Sequence, residues 1–147
     1  MAKVTILFLD ASPPRDERDE TAARQALDVE CRAIDDELRR SRGRADFELI
    51  SKWAVTVNDL FRFLNEIKPT VIHFSGHPDG SGLALRDEAH GGQPVTPEAL
   101  KLAIASTAGP AGSARIVVLN ACYSVEHAAA LQNLVECVAG LPGPVDH

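Results

Sequence analysis

The apolar residues of this chain fall into short runs separated by stretches with helical spacing. Three runs are mostly apolar and too short for helices, which is typical of strands buried on both faces of a sheet. These runs are VTILFL (4–9), TVIHFS (70–75) and IVVL (116–119). The segment DFELISK (46–52) instead alternates apolar and polar residues, which indicates a more peripheral strand. The pattern therefore predicts three central strands and one strand nearer the edge of a sheet.

The segments between the strands show the spacing of amphipathic helices. Residues 21–41 predict the first helix, with Val29 among its apolar positions and Glu30 on its solvent face. Asn58 is the predicted N-cap of a second helix, since its short polar side chain precedes a run with helical period. Residues 96–98, Thr-Pro-Glu, are typical of a third helix start.

A small hairpin and a last helix complete the predicted order of elements. Residues 83–95 predict the hairpin, which turns at Gly91-Gly92. Ser124 is the predicted N-cap of the last helix, and residues 136–141 resemble a further strand. Strands that alternate with helices indicate a single α/β domain over residues 1–147, a three-layer sandwich with a mainly parallel sheet and helices on both faces. Right-handed crossovers then bring the carboxyl ends of the central strands to one edge.

The composition and net charge of the chain argue against some classes of binding partner. The chain has 147 residues, 45% of them hydrophobic, and a formal net charge of −6. This acidic balance argues against nucleic acid or an anionic membrane as a partner. The N-terminus does not resemble a signal peptide, and no apolar run reaches the length of a membrane span. The chain has three cysteines, an odd number at wide spacing, which argues against a disulfide framework. We therefore expect a cytoplasmic protein.

Two residues at predicted strand ends suggest nucleophilic chemistry. Cys122 follows the strand 116–119 and precedes a helix, where free backbone N–H groups favour a thiolate. His77 follows the strand 70–75 in a glycine-rich loop, 45 positions earlier in the chain. An imidazole beside a thiolate can hold its proton or donate it to a leaving amine. The residues therefore predict a Cys/His dyad at the carboxyl edge of the sheet.

Other interpretations of these residues stay open. Cys122 could be an inert buried thiol, and His73, inside a strand, is more typical of a structural histidine than of a catalytic one. No Cys or His pair has the spacing of metal ligands, so no metal is expected, and the dyad requires no cofactor. The loop 76–82 matches no phosphate-binding signature. By fold alone, a flavodoxin-like or TIR-like nucleotide-binding domain, using the loops after Leu9 and Ser75, is a further alternative.

Several segments resemble the bacterial caspase-like proteins of the CHAT type, and the likeness extends over nearly the whole chain. The segments are VTILFLDASPP, LDVECRAIDDELRRS, PTVIHFSGH, GLALRDEAHGGQPVTPEAL and RIVVLNACYS. The most specific are the SGH and NAC motifs, although NACYS and the 45-residue gap match the caspase signature only in part. The resemblance implies that His77 is the catalytic histidine and Cys122 the nucleophile of a peptidase. Members of the family commonly cleave after a charged residue, and many act in bacterial signalling or defence.

The site expected on this basis is a cysteine endopeptidase centre that acts on a protein or peptide substrate. His77 would be the general acid and base, and the backbone N–H of Cys122 would be one donor to the oxyanion. Asp10, at the end of the first strand, and Asp79, in the histidine loop, are candidates for contacting a basic substrate side chain.

The chain departs from the family pattern at two points. Pro78 follows the histidine where the family usually has glycine, and proline lacks the N–H that helps form the oxyanion hole. The chain also ends near the strand that begins at about residue 136, whereas caspase-like folds continue with further strands. We therefore expect oligomerisation or a partner chain at the sheet edge. The alternative function is a catalytically weak or inactive caspase-like module that serves as a scaffold.

Overall fold

The described residues form seven strands and four α-helices, and most of the helices lie between strands in the sequence. The computed structural model describes residues 3–11, 17–53, 55–76, 83–86, 92–107, 113–120 and 125–140. The strands are β1 Val4–Ala11, β2 Phe47–Lys52, β3 Val71–Gly76, β4 Ala84–Arg86, β5 Gly92–Pro94, β6 Ile116–Asn120 and β7 Cys137–Gly140. The helices are α1 Glu17–Arg40, α2 Val57–Ile67, α3 Pro97–Ala105 and α4 Val125–Leu131, and a short 3-10 helix spans Arg44–Asp46.

Five of the strands form one parallel sheet in the order β2-β1-β3-β6-β7. Parallel neighbours require crossover connections, and the helices between the strands supply them. With the β4–β5 hairpin set aside, the order is 2-1-3-4-5, which flavodoxin-like sheets also have. The predicted α/β sandwich with a mainly parallel sheet is confirmed.

The main hydrophobic core lies between one face of the sheet and the helices α2, α3 and α4. Alternate residues of the central strands point into it, as strand geometry requires. The sheet contributes Leu7, Leu9, Ile72, Phe74, Val117 and Leu119, and the helices contribute Leu60, Leu64, Leu100, Ala103, Ile104 and Leu131. Burial of this apolar surface is the dominant favourable contribution to folding.

The opposite face of the sheet carries α1 and a smaller aromatic contact. Phe8 is fully buried, and its ring stacks on that of His73 at 5.1 Å between centroids. Trp53 tilts against Phe8 at 6.1 Å. Since Phe8 pairs with His73 in the β1–β3 register, both side chains stand on this face.

The start of α2 differs from the sequence prediction. Thr56, and not Asn58, is the N-cap: its hydroxyl accepts a hydrogen bond from the Asp59 backbone N–H at 3.1 Å. The Asp59 carboxylate accepts one from the Thr56 N–H at 3.2 Å, which completes a capping box. Asn58 lies exposed in the first turn. The reciprocal pair satisfies two amide groups, whereas a cap at Asn58 would leave the Thr56–Asp59 pair unused.

The predicted start of α3 and the predicted hairpin are present in the structure, but the predicted turn of the hairpin is wrong at Gly92. Thr96 caps α3 through a hydrogen bond from the Ala99 N–H, with Pro97 in the first turn. The β4–β5 pair is an antiparallel hairpin in which Gly92, a predicted turn residue, is instead the first residue of β5 and pairs with Arg86. The predicted turn residue Gly91 and the predicted cap Ser124 lie outside the described residues.

None of the helices in the described part of the chain combines the length and apolar character needed to cross a bilayer.

Candidate functional site at the carboxyl ends of β3 and β6

Three polar residues form a row across the carboxyl ends of the central strands. Asp10 of β1 pairs with Ser75 of β3, and Ser75 pairs with Asn120 of β6. Partners in a parallel register point to the same face, here the face that carries Phe8, His73 and α1. In open parallel α/β sheets this edge is where ligands bind.

Glu30 of α1 ties two of these strand ends together. Its Oε2 accepts a hydrogen bond from the Ser75 hydroxyl at 2.5 Å, and its Oε1 accepts one from Asn120 Nδ2 at 2.7 Å. Oε1 also lies 2.7 Å from His73 Nε2. A single carboxylate thus joins α1, β3 and β6 through three hydrogen bonds.

The hydrogen bonds around Glu30 favour its ionised form. A carboxylate only accepts hydrogen bonds, so Nε2 of His73 carries the proton in this contact. Burial alone would raise the pKa of Glu30, but the hydrogen bonds from His73, Ser75 and Asn120, together with attraction to His73, outweigh it and lower the pKa below 4.5. Glu30 is therefore an anion at neutral pH, although only 25% of its side chain is exposed.

The cluster is not a serine-hydrolase triad, although it contains the three residue types of one. In such a triad the histidine lies between the serine and the carboxylate and takes the serine proton. Here the carboxylate of Glu30 lies between Ser75 and His73, so the histidine does not reach the hydroxyl through this arrangement. Ser75 is also only 1% exposed, which keeps substrate away from its hydroxyl. The geometry is that of a structural hydrogen-bond cluster that links α1 to β3 and β6.

The two residues of the predicted dyad come immediately after β3 and β6 in the sequence, the two strands whose ends Glu30 joins. His77 comes one residue after Gly76, the last residue of β3, and Cys122 comes two residues after Asn120, the last of β6. His77, Asp79 and Cys122 lie outside the described residues, so their roles stay predictions. Asp10 lies at the carboxyl end of β1, as predicted, and its contact with substrate also stays a prediction.

Glu30 lies on the side of α1 that faces the sheet, so its predicted place on the solvent face is wrong. Val29, a predicted apolar position of the same helix, is 68% exposed. A signal for the correct face was present, because Glu30, Ile34 and Leu38 follow one another at intervals of four residues. The charge of Glu30 concealed this stripe, since its partners are distant in sequence.

Of the two described cysteines, Cys31 does not have the features of a reactive thiol. Cys31, on α1, is partly buried, and this burial raises the pKa of its thiol. A hydrogen bond with Ser51 lowers the pKa of Cys31 less than burial raises it, and the negative charges of Asp28, Asp35 and Glu30 raise it further. Cys137 lies exposed on β7.

An apolar groove of about 180 Å³ lies on the other side of the sheet. It is lined by Val57, Leu60, Phe61, Leu85, Pro94, Val95, Ala99, Leu102 and Ala103. Because these residues belong to α2, α3 and the hairpin, the groove is separate from the Glu30 cluster.

Within the described residues, no group of three or more His, Cys, Asp or Glu side chains could hold a metal ion. Neither a scan against protein-family models nor a search of curated proteins finds a match to this chain.

Proposed function

We propose that this chain is a cytoplasmic caspase-like cysteine endopeptidase domain of a bacterial signalling or defence system. The observation that carries the proposal is the register of β3 and β6. Ser75 pairs with Asn120, so the chain continues toward His77 and toward Cys122 from adjacent strand ends, at one edge of the sheet. Neighbouring strands lie about 4.8 Å apart, a separation that a histidine and a cysteine side chain can bridge.

The proposed reaction is peptide-bond hydrolysis in two steps. The Cys122 thiolate attacks the carbonyl carbon, and the Cys122 N–H donates to the oxyanion that forms. The C–N bond then breaks, and protonated His77 gives its proton to the leaving amine. Water then attacks the thioester while His77 takes one of its protons, the C–S bond breaks, the carboxylic acid is released, and the Cys122 thiolate and protonated His77 are restored. In this proposal Asp10 and Asp79 contact a basic substrate side chain.

Covalent labelling tests the proposal. Peptidyl chloromethyl ketones that end in Lys, Arg, Asp or Glu are incubated with the protein, and the modified residue is identified by mass spectrometry. We expect labelling of Cys122 that is abolished in Cys122→Ala and weakened in His77→Ala. Cys31→Ala is the matched control and should label like wild type, because Cys31 has a raised thiol pKa. Equal labelling of wild type and His77→Ala would contradict the proposal.

A catalytically weak scaffold is the second candidate function, and Pro78 is the observation that favours it. Proline after His77 cannot supply the backbone donor that the family pattern has there. Loss of one such donor costs about a hundredfold or more in rate. An unreactive Cys122, together with a partner that binds in a fixed stoichiometry, would favour this candidate over the peptidase.

The third candidate, a nucleotide-binding domain, rests on the 2-1-3-4-5 strand order. This order is shared by proteins of unrelated activity, so it is a weak argument for function. A shift of the unfolding temperature on addition of nucleotides or flavin would support it, and the absence of any shift would remove it.

A further inference from the structure

We propose that Glu30 is a positioning residue of the candidate peptidase site, which holds the ends of β3 and β6 in the arrangement that the Cys/His dyad needs. This inference rests on the proposed function. It assigns to α1 a role that the motifs around His77 and Cys122 do not indicate.

The Glu30 carboxylate binds residues that come just before the two proposed catalytic residues in the sequence. Ser75 is two residues before His77, and Asn120 is two residues before Cys122. Glu30 accepts a hydrogen bond from each of them, at 2.5 and 2.7 Å. The same side chain therefore holds both strand ends immediately before the two proposed catalytic residues.

The hydrogen bonds from Ser75 and Asn120 are made to an ionised carboxylate. Hydrogen bonds to an ionised carboxylate are shorter and stronger than those between neutral groups. Ser75 is buried, whereas Asn120 is exposed at the end of its strand. Without Glu30 the Asn120 amide would lose this anchor and bond to water instead.

The Glu30 carboxylate is itself supported by His73. His73 Nε2 donates to the same carboxylate, and the His73 ring stacks on the fully buried Phe8. A positioning residue needs this kind of support, because its own mobility would pass to the groups it orients. A misplacement of about 1 Å can cost about a hundredfold in rate.

The test is the pH profile of Cys122 alkylation by iodoacetamide, in a Cys31→Ser/Cys137→Ser background that leaves Cys122 as the single thiol. Wild type, His77→Ala and Glu30→Gln are compared at a temperature where each is folded. Glu37→Gln is the matched control, since Glu37 lies on the same helix with 78% of its side chain exposed and contacts Arg40. A residue that only stabilises the fold would not move the profile of the folded protein.

We expect Glu30→Gln to lower the alkylation rate near neutral pH by about tenfold, a fraction of the cost of a 1 Å misplacement. Its profile should move toward that of His77→Ala, while Glu37→Gln coincides with wild type. If Glu30→Gln does not fold, Asn120→Ala removes one of the contacts at an exposed side chain, and a shift in the same direction is expected.

The two possible failures are distinguishable. If His77→Ala shifts the profile but Glu30→Gln, or Asn120→Ala in its place, coincides with wild type, the inference about Glu30 is wrong and the peptidase proposal stands. If wild type and His77→Ala have the same profile, with the pKa of a free thiol, the peptidase proposal fails and the role of Glu30 fails with it.

Discussion

Glu30 is a charged residue whose partly buried position is explained by its donors. A carboxylate that leaves water loses solvation, and this loss must be compensated by hydrogen bonds. His73, Ser75 and Asn120 provide three, from two strands. The match between donors and carboxylate oxygens accounts for an acidic residue on the inward side of α1.

Replacement of Glu30 by glutamine should destabilise the protein in a pH-dependent way. At pH 7 we expect Glu30→Gln to lower the free energy of unfolding by about 2 kcal/mol, the order of a charged hydrogen bond. The pKa of Glu30 is lowered below 4.5 in the folded protein, so its contribution is complete above that value and declines as the pH falls through the folded pKa. Urea unfolding at neutral pH and at acidic pH values well below the ordinary pKa of a glutamate measures the difference.

Glu37→Gln serves again as the control, because Glu37 is exposed on the same helix. Its free energy of unfolding should stay within about 0.5 kcal/mol of wild type. A destabilisation by Glu30→Gln that is the same at both pH values would contradict the assignment of an ionised, hydrogen-bonded Glu30.

The N-cap of α2 is Thr56, whereas the sequence predicted Asn58, and substitution of each residue tests which one caps the helix. Thr56→Ala removes the hydroxyl that accepts from the Asp59 N–H, so we expect a loss of about 1 kcal/mol. Asn58→Ala should be near neutral, because Asn58 lies exposed in the first turn and is not the cap. Urea unfolding of the two variants gives the comparison, and a larger loss for Asn58→Ala would contradict the structure.

Elements that depend on local pattern were predictable, and contacts between distant elements were not. The apolar runs around Leu7, Ile72 and Val117 indicate central strands because burial on both faces leaves few polar positions. The orientation of α1 depends on Glu30 meeting His73, Ser75 and Asn120, which are 43, 45 and 90 residues away. The spacing of residues within one helix or strand does not indicate such long-range contacts. The hydrogen bonds of Glu30 could therefore not be predicted, whereas the neighbouring strand ends could.

In the fold as a whole, the parallel order of the strands places the carboxyl ends of β3 and β6 next to each other. β3 and β6 are separated in sequence by the hairpin and α3, yet they are hydrogen-bonded neighbours. Right-handed crossovers put their carboxyl ends at one edge. The juxtaposition of segments after β3 and β6 could therefore be predicted from the alternation of elements, although the order of all five strands could not.

The edge of the sheet leads to a prediction about assembly. In the described sheet β7 is an outer strand, and its Cys137 and Ala139 are exposed. Strand edges present unpaired backbone groups that favour association. We expect sedimentation equilibrium to show a dimer or larger species as the protein concentration rises. A monomer throughout the accessible concentration range would contradict the prediction.

The pKa of the Cys122 thiol reports whether His77 and Cys122 form a dyad. The rate of Cys122 alkylation is measured against pH in wild type and in His77→Ala, with Cys31 and Cys137 replaced by serine. We predict a wild-type thiol pKa well below that of free cysteine, about 8.5, and a rise when His77 is removed. A pKa near 8.5 in both proteins would contradict a Cys/His dyad in this chain.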